Sequence, residues 1–293
     1  MMTTLPDKPI AVAMGGEDDA ALAFAVDEAL RTGGGLRLIH AVDQAAAPPM
    51  SLLLSYQDAE EVGNRLLSDG ARVVEDATDR VTVQKVVHRG GAVQVLIQES
   101  EQARLVVLQH RGLSRVQRIF TGSISTAVAA RAHCPVVSVP EHWRSDEHGR
   151  HVVVGLDEAG EPLTALRVAF EEAQRRAAPL VVAHAWCLSS LYEEFPADGF
   201  ENEWRKQAGR LLREALDQAT PGFPQVKVTT ELRYQAPADA LSALAQDAAL
   251  LILGRRSRRG PLRIGSLARA LLRAGECPVM VVPVGASGPS DDE

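Results

Sequence analysis

The stretch GSISTAVAARAHCPVVSVP, residues 122 to 140, returns as GSLARALLRAGECPVMVVP at residues 265 to 283. Both copies open on Gly-Ser, carry Cys-Pro before an apolar run and close on Pro. An internal repeat constrains the architecture more than any other property of a chain, because one supersecondary plan must serve both copies.

Other landmarks recur at nearly the same spacing. Gly122-Ser123 returns as Gly265-Ser266 and Pro140 as Pro283, an offset of 143 residues in both cases. IAVAMGG (10 to 16) matches VVVGLDE (152 to 158), with Met14 read opposite Asp157. LRLIHAV (36 to 42) matches LVVAHAW (180 to 186), setting His40 against His184, and LVVLQ matches LLILG, setting Gln109 against Gly254.

Each half carries the same succession of patterns. A short apolar strand (10 to 14; 152 to 156) leads into an Ala/Leu-rich amphipathic helix (17 to 32; 161 to 177) and a second strand (36 to 42; 180 to 186). After a longer connection come a helix (58 to 77; 201 to 219), an alternating strand (81 to 87; 226 to 232), a shorter helix (92 to 102; 237 to 247) and a fully apolar strand (104 to 109; 249 to 253). The Gly-Ser helix and the Pro-terminated strand finish the half. Alternation of strand and helix predicts an α/β fold of two tandem doubly wound parallel-sheet domains with five strands each, because right-handed crossovers place helices on both faces. The first domain is expected over residues 1–141 and the second over 151–284. The charged, nearly aliphatic-free 142–150 reads as a linker, and the small, polar, acidic 285–293 as a disordered tail.

With 293 residues, of which 46% are hydrophobic, the chain can bury two cores. Its net charge of −7 argues against nucleic acid as a partner, since polyanion affinity needs many lysines and arginines on phosphates. No apolar run reaches the ~18 residues of a membrane span, and the first residues lack a secretory apolar core. Cys134, Cys187 and Cys277 fit no disulfide framework or metal clip, which points to reduced thiols and a cytoplasmic location.

Each half resembles a universal stress protein domain over nearly its whole length, and the pair resembles the tandem members of that family. The likeness is carried by a glycine loop after the fourth strand, of form G-x2-G-x9-G-[ST], followed by a helix and a terminal strand of the CPVVVVP kind. The resemblance implies strand order 3-2-1-4-5, pairing through the last strand and, in part of the family, ATP binding. The chemistry of such a loop is general: glycines let backbone amides face a ligand, and a helix N-terminus points at the same place, which suits phosphate. In this reading Ser123 and Ser266 serve as N-caps in the empty state and as donors to a phosphate oxygen otherwise.

Neither half keeps the whole motif. QHRGLSRVQRIFTGS retains Gly112, Gly122 and Ser123, but Gln109 replaces the first glycine and its side chain would fill room a phosphate or ribose needs. The aspartate that contacts the nucleoside in ATP-binding relatives is read here as Met14, whose thioether offers no comparable acceptor. The second half keeps Asp157, Gly254, Gly260, Gly265 and Ser266, yet its loop GRRSRRGPLRIGS is two residues shorter and has Ser257 where the second glycine belongs. Five arginines crowd that loop, Arg256 among them. They read either as guanidinium clamps for phosphate or as a solvated basic loop paired with local acids. Of the two halves, the second is the better candidate for a nucleotide.

Other signals have simpler explanations. MGGEDD (14 to 19) lacks the serines of a pyrophosphate loop, and its acids suit a helix N-terminus. TGGGL (32 to 36) lies between helix and strand, an ordinary C-terminal glycine cluster. His142, His148 and His151 have no metal-ligand spacing, so no metal is expected beyond the Mg carried by a nucleotide. His40 and His184 recur at the end of the second strand, which suggests a shared hydrogen-bonding role. Cys134 and Cys277 read as small buried side chains.

A terminal strand exposes an unpaired edge. Fusing two copies makes the pairing of those edges intramolecular, so the halves are expected to pair through their last strands with pseudo-twofold symmetry. Whether the tandem chain dimerises further stays open. No nucleophile, base and orienting partner assemble, so at most slow ATP hydrolysis is expected. Two functions stand: a cytoplasmic stress-response regulator that binds ATP or a related adenine nucleotide in its second domain, and a nucleotide-free scaffold that binds protein partners through its degenerate glycine and arginine loops.

Overall fold

The computed structural model describes residues 8–16, 19–43, 56–110, 118–145, 151–156, 162–187, 197–255 and 264–283. Of the sequence candidates, Gly112, Asp157, Arg256 and Gly260 lie outside the described residues, as do 146–150 of the linker and the tail 285–293. The chain divides into two compact units, Met1–Glu147 and His148–Glu293.

In the first unit the chain runs β1 (Ile10–Ala13), α1 (Asp19–Thr32), β2 (Leu36–Val42), α2 (Tyr56–Ala77), β3 (Val83–Arg89), α3 (Ala92–Glu99), β4 (Leu105–His110), α4 (Arg118–Ala129) and β5 (Val136–Pro140). Its strands lie in the order β3-β2-β1-β4-β5, every neighbouring pair parallel. The second unit repeats the succession as β6 (His151–Gly155), α5 (Pro162–Arg175), β7 (Leu180–Trp186), α6 (Ala197–Ala219), β8 (Val228–Tyr234), α7 (Pro237–Ala245), β9 (Ala248–Gly254), α8 (Ser266–Ala274) and β10 (Val279–Val282). Its order is β8-β7-β6-β9-β10, again parallel throughout. Each unit thus has the five-strand 3-2-1-4-5 sheet that the repeat and the resemblance implied.

The central strands are apolar without alternation because helices cover both faces of a parallel sheet. Val152, Val153 and Val154 of β6 are 0% exposed, and Ile10, Ala11 and Val12 of β1 are equally buried. Helix α1 turns Ala21, Phe24, Ala25 and Ala29 inward, and α5 does the same with Ala165, Leu166, Ala169, Phe170 and Ala173. In each sheet the chain reverses its direction of travel between the first and fourth strands, and the carboxyl ends of β1 and β4, or of β6 and β9, flank that switch point. Open α/β sheets bind ligands there.

Two helix starts differ from the sequence expectation. Helix α4 begins at Arg118, so Gly122 and Ser123 lie within it and Ser123 is not its N-cap. One glycine costs a helix only about 1 kcal/mol, too little to stop RIFT from joining ISTAVA. Helix α8 begins at Ser266, and the capping position belongs to Gly265 with extended backbone at φ −70°, ψ 163°. Helix α3 also ends early, at Glu99. There the Ser100 hydroxyl donates to Ile97 C=O at 2.5 Å and accepts the His133 N–H at 2.9 Å, so the chain turns off instead of adding another helical turn. Among the described residues no helix is long and apolar enough to cross a membrane.

Candidate functional site

At the end of β1 the ladder continues one residue past the strand: Met14 N–H donates to Ile39 C=O at 2.8 Å. The chain then leaves the sheet, and the Met14 carbonyl receives its hydrogen bond from His40 Nδ1 at 2.8 Å. The second half builds the same device, with Leu156 N–H on Ala183 C=O at 2.9 Å and His184 Nδ1 on Leu156 C=O at 2.9 Å. A backbone carbonyl at a strand's exit needs a donor. The imidazole supplies it, and the bond fixes the tautomer with the proton on Nδ1. The recurrence of His40 and His184 has this physical basis: each pins the backbone carbonyl one residue past the first strand of its half.

Strand pairing also corrects one correspondence. Ile10 faces Leu36 and Leu105, while Val152 faces Leu180 and Leu250. Ile10 and Val152 are therefore equivalent, Met14 is the counterpart of Leu156, and the residue at the place of Asp157 is Gly15 rather than Met14. Met14 is a core side chain, 6% exposed, whose Cε lies against Gly70 of α2. The first half still has no carboxylate at that place, because glycine has no side chain.

The same registers make Gln109 and Gly254 equivalent at the ends of β4 and β9. Gln109 Oε1 accepts two backbone bonds at the start of α1, from Ala20 N–H at 3.0 Å and Ala21 N–H at 3.1 Å. Those N–H groups belong to the first turn of a helix, where amides lack intrahelical acceptors and the dipole attracts negative charge. A neutral amide oxygen of the protein itself occupies the place where an anion would sit. Gly254 sends no side chain toward α5. Among the described residues a Cβ built on it would meet only Ala165 Cβ, at the ordinary distance of 3.5 Å, so their packing alone does not require glycine.

Across the cleft, Gly265 leads into α8 with the helix N-terminus at Ser266, which is exposed. The first bond within this helix runs from Arg269 N–H to Gly265 C=O at 3.1 Å, so the amides of Ser266, Leu267 and Ala268 have no acceptor within it. Arg255 stays in the ladder, its N–H on Val282 C=O at 2.7 Å. Thus Gly254 ends β9 beside Ala165 of α5, while Gly265 and Ser266 open the helix that leads on to β10.

A feature that sequence reasoning missed lies beside this cleft. Trp186 and Tyr234 end β7 and β8 as paired residues, and α6 adds Trp204. The indoles of Trp186 and Trp204 stack at 5.2 Å and 16°, Trp204 stacks on His184 at 5.5 Å and 24°, and Tyr234 tilts against Trp186 at 5.4 Å. In the first half the paired strand ends hold Val42 and Arg89, the latter in an exposed ion pair with Glu60 at 3.3 Å. There Gly63 meets the His40 ring, so closely that a Cβ would lie 2.6 Å from Cδ2. A tryptophan at the end of only one of two matched strands was the available sequence signal.

Cys134 and Cys277 are buried, and burial pushes both thiols up to about 12. Each Sγ donates to the carbonyl of the following proline, Pro135 at 3.5 Å and Pro278 at 3.4 Å. Among the described residues no group of three His, Cys, Asp or Glu side chains could hold a metal ion. His151 instead donates from Nε2 to Leu244 C=O at 3.0 Å.

The model of the universal stress protein family matches residues 8–140 and again 149–283. The chain belongs to the universal stress protein family. A universal stress protein of Mycolicibacterium smegmatis is 31% identical over 282 residues, covering 91% of this chain and 93% of that relative. Among solved structures, a universal stress protein from Archaeoglobus fulgidus superposes with a TM-score of 0.67 at 17% identity, covering 93% of this chain and 96% of its own. A universal stress protein solved in complex with cAMP aligns with 46% of this chain and 98% of its own at 26% identity and a TM-score of 0.36. This tandem universal stress protein thus has two matched domains that differ at the carboxyl end of the fourth strand: one places Gln109 there, bonded to the start of α1, and the other Gly254.

Proposed function

We propose that this tandem universal stress protein is a cytoplasmic nucleotide-responsive regulator that takes one adenine nucleotide, ATP or a close relative, in its second half. The observation that carries the reading is the contrast between Gln109, bonded to the opening amides of α1, and Gly254, which brings no side chain of its own to the equivalent place. In this reading Asp157, the residue after the pinned Leu156, holds the nucleoside. Gly254, Gly260 and Gly265 let the backbone approach phosphate, Ser266 and the first amides of α8 receive a phosphate oxygen, and Arg256 neutralises charge. Mg would arrive with the nucleotide. In the first half, Gly112, Gly122 and Ser123 keep part of the motif without a place for its ligand. Turnover in this reading is at most slow, because among the described residues no nucleophile and base are paired there. The exposed thiol of Cys187 suits a reducing compartment.

Calorimetric titration with ATP and Mg tests this. The expected result is one equivalent bound per chain, abolished by Gly254→Gln, with the folded state of the variant checked by its thermal melt. Two equivalents, or unchanged binding in Gly254→Gln, would reject the assignment. The closed first half favours a second role, as a docking surface for protein partners in the manner of a scaffold. That role becomes the whole function if the purified protein releases no nucleotide on denaturation and ATP produces no thermal shift.

A further inference from the structure

The aromatic layer of the second half asks for more than packing. Trp186 and Tyr234 are both partly exposed although they stack with other rings. Trp204 carries an indole Nε1 that is buried with no hydrogen-bond partner among the described residues. A leucine would fill the same gap between α6 and the sheet without stranding a donor, so this tryptophan is a costly filler. The layer also has a definite position. His184 lies beneath it, stacked on Trp204 and hydrogen-bonded to Leu156 at the floor of the cleft. Trp186 is two residues further along β7, about 7 Å toward the ligand-facing ends. The first half has aliphatic and charged residues at the paired positions, Val42 and Arg89, and it is also the half whose cleft Gln109 fills.

We propose that Trp186, backed by Trp204 and Tyr234, is the stacking wall for the planar base of a ligand held in the second-half cleft, and that it makes this site select base-bearing phosphates over base-free polyphosphate. The inference rests on the reading of that cleft as a nucleotide site. An indole face attracts the π-face of any base, so the wall supplies affinity for a nucleobase without choosing among bases by hydrogen bonding.

The test uses the full chain carrying Trp143→Phe. This removes the first-half indole, whose edge-on contact with Phe24 a phenyl ring can keep, and leaves Trp186 and Trp204 as the only indole fluorophores. ATP and tripolyphosphate are titrated separately, following tryptophan emission and equilibrium dialysis. The expected result is saturable quenching by ATP and none by tripolyphosphate. Trp186→Val, which installs the first-half residue, should weaken ATP by about tenfold or more while leaving tripolyphosphate affinity unchanged. ATP that binds Trp186→Val as tightly as the parent overturns the wall and leaves the nucleotide site standing. ATP that fails to bind the parent overturns both. Should Trp186→Val not fold, the parent decides: ATP saturation, established by dialysis, without any change in emission overturns the proposal.

Discussion

Gln109 shows how one side chain changes what a matched scaffold position can do. Its amide oxygen is the acceptor for Ala20 and Ala21, so Gln109→Gly removes a helix cap as well as a plug. The expected cost is about 1–2 kcal/mol in urea unfolding, the range of a lost cap or of two amides left to water. An unchanged midpoint would mean that water serves α1 as well as glutamine does. The sequence alone placed Gln109 opposite Gly254, because strand matching carried that information. It could not say what the side chain bonds, since the start of α1 lies 88 residues away along the chain. The reading of Met14 opposite Asp157 failed because it carried the offset of 143 from the Gly-Ser helix back to the first strand, where the strand registers give 142.

At the scale of elements, the second helix of each half makes the clearest contrast. Helix α2 rests on His40 through Gly63, where α6 interposes Trp204 on His184. Gly63→Ala should therefore destabilise the protein by about 1–3 kcal/mol, although alanine is favoured over glycine in a helix by about 1 kcal/mol. His40 is tied to the Met14 carbonyl and cannot swing away. Gly70→Ala on the same helix meets the flexible Cε of Met14 at 3.0 Å and Leu38 Cδ1 only at 3.4 Å, and should be near neutral. Chemical denaturation of the two variants side by side separates steric conflict from propensity, and equal effects would refute it. The helices and strands themselves were legible because their apolar periodicity is local. The start of α4 was not, because Gly-Ser is compatible with both a cap and a helix interior. Nor were the buried carboxylates of Glu28 and Glu172, each satisfied by arginines one turn on, Arg31 in α1 for the first, and Arg175 at the end of α5 with Arg176 just beyond it for the second.

At the scale of the molecule, the duplicated endings leave a titration signature. Cys134 and Cys277 hold their protons up to about 12 in the folded protein because burial disfavours the thiolate, whereas unfolded thiols ionise near 9. Above that pH the unfolded chain binds fewer protons than the folded one, so stability is full below pH 9 and declines as pH rises toward 12. The decline should be shallower in a Cys134→Ala, Cys277→Ala variant, and identical slopes would contradict the assignment. At neutral pH a thiol reagent should label one cysteine in the native protein, Cys187, and three after denaturation.

The bond between Gln109 and the first turn of α1 also gives the chain a built-in blank. Ala20 and Ala21 have their acceptor whether or not a nucleotide is present, so their deuterium uptake should run at one rate across a ligand titration. Any slowing that ATP produces elsewhere can be measured against these two amides in the same sample, with no second protein needed as reference.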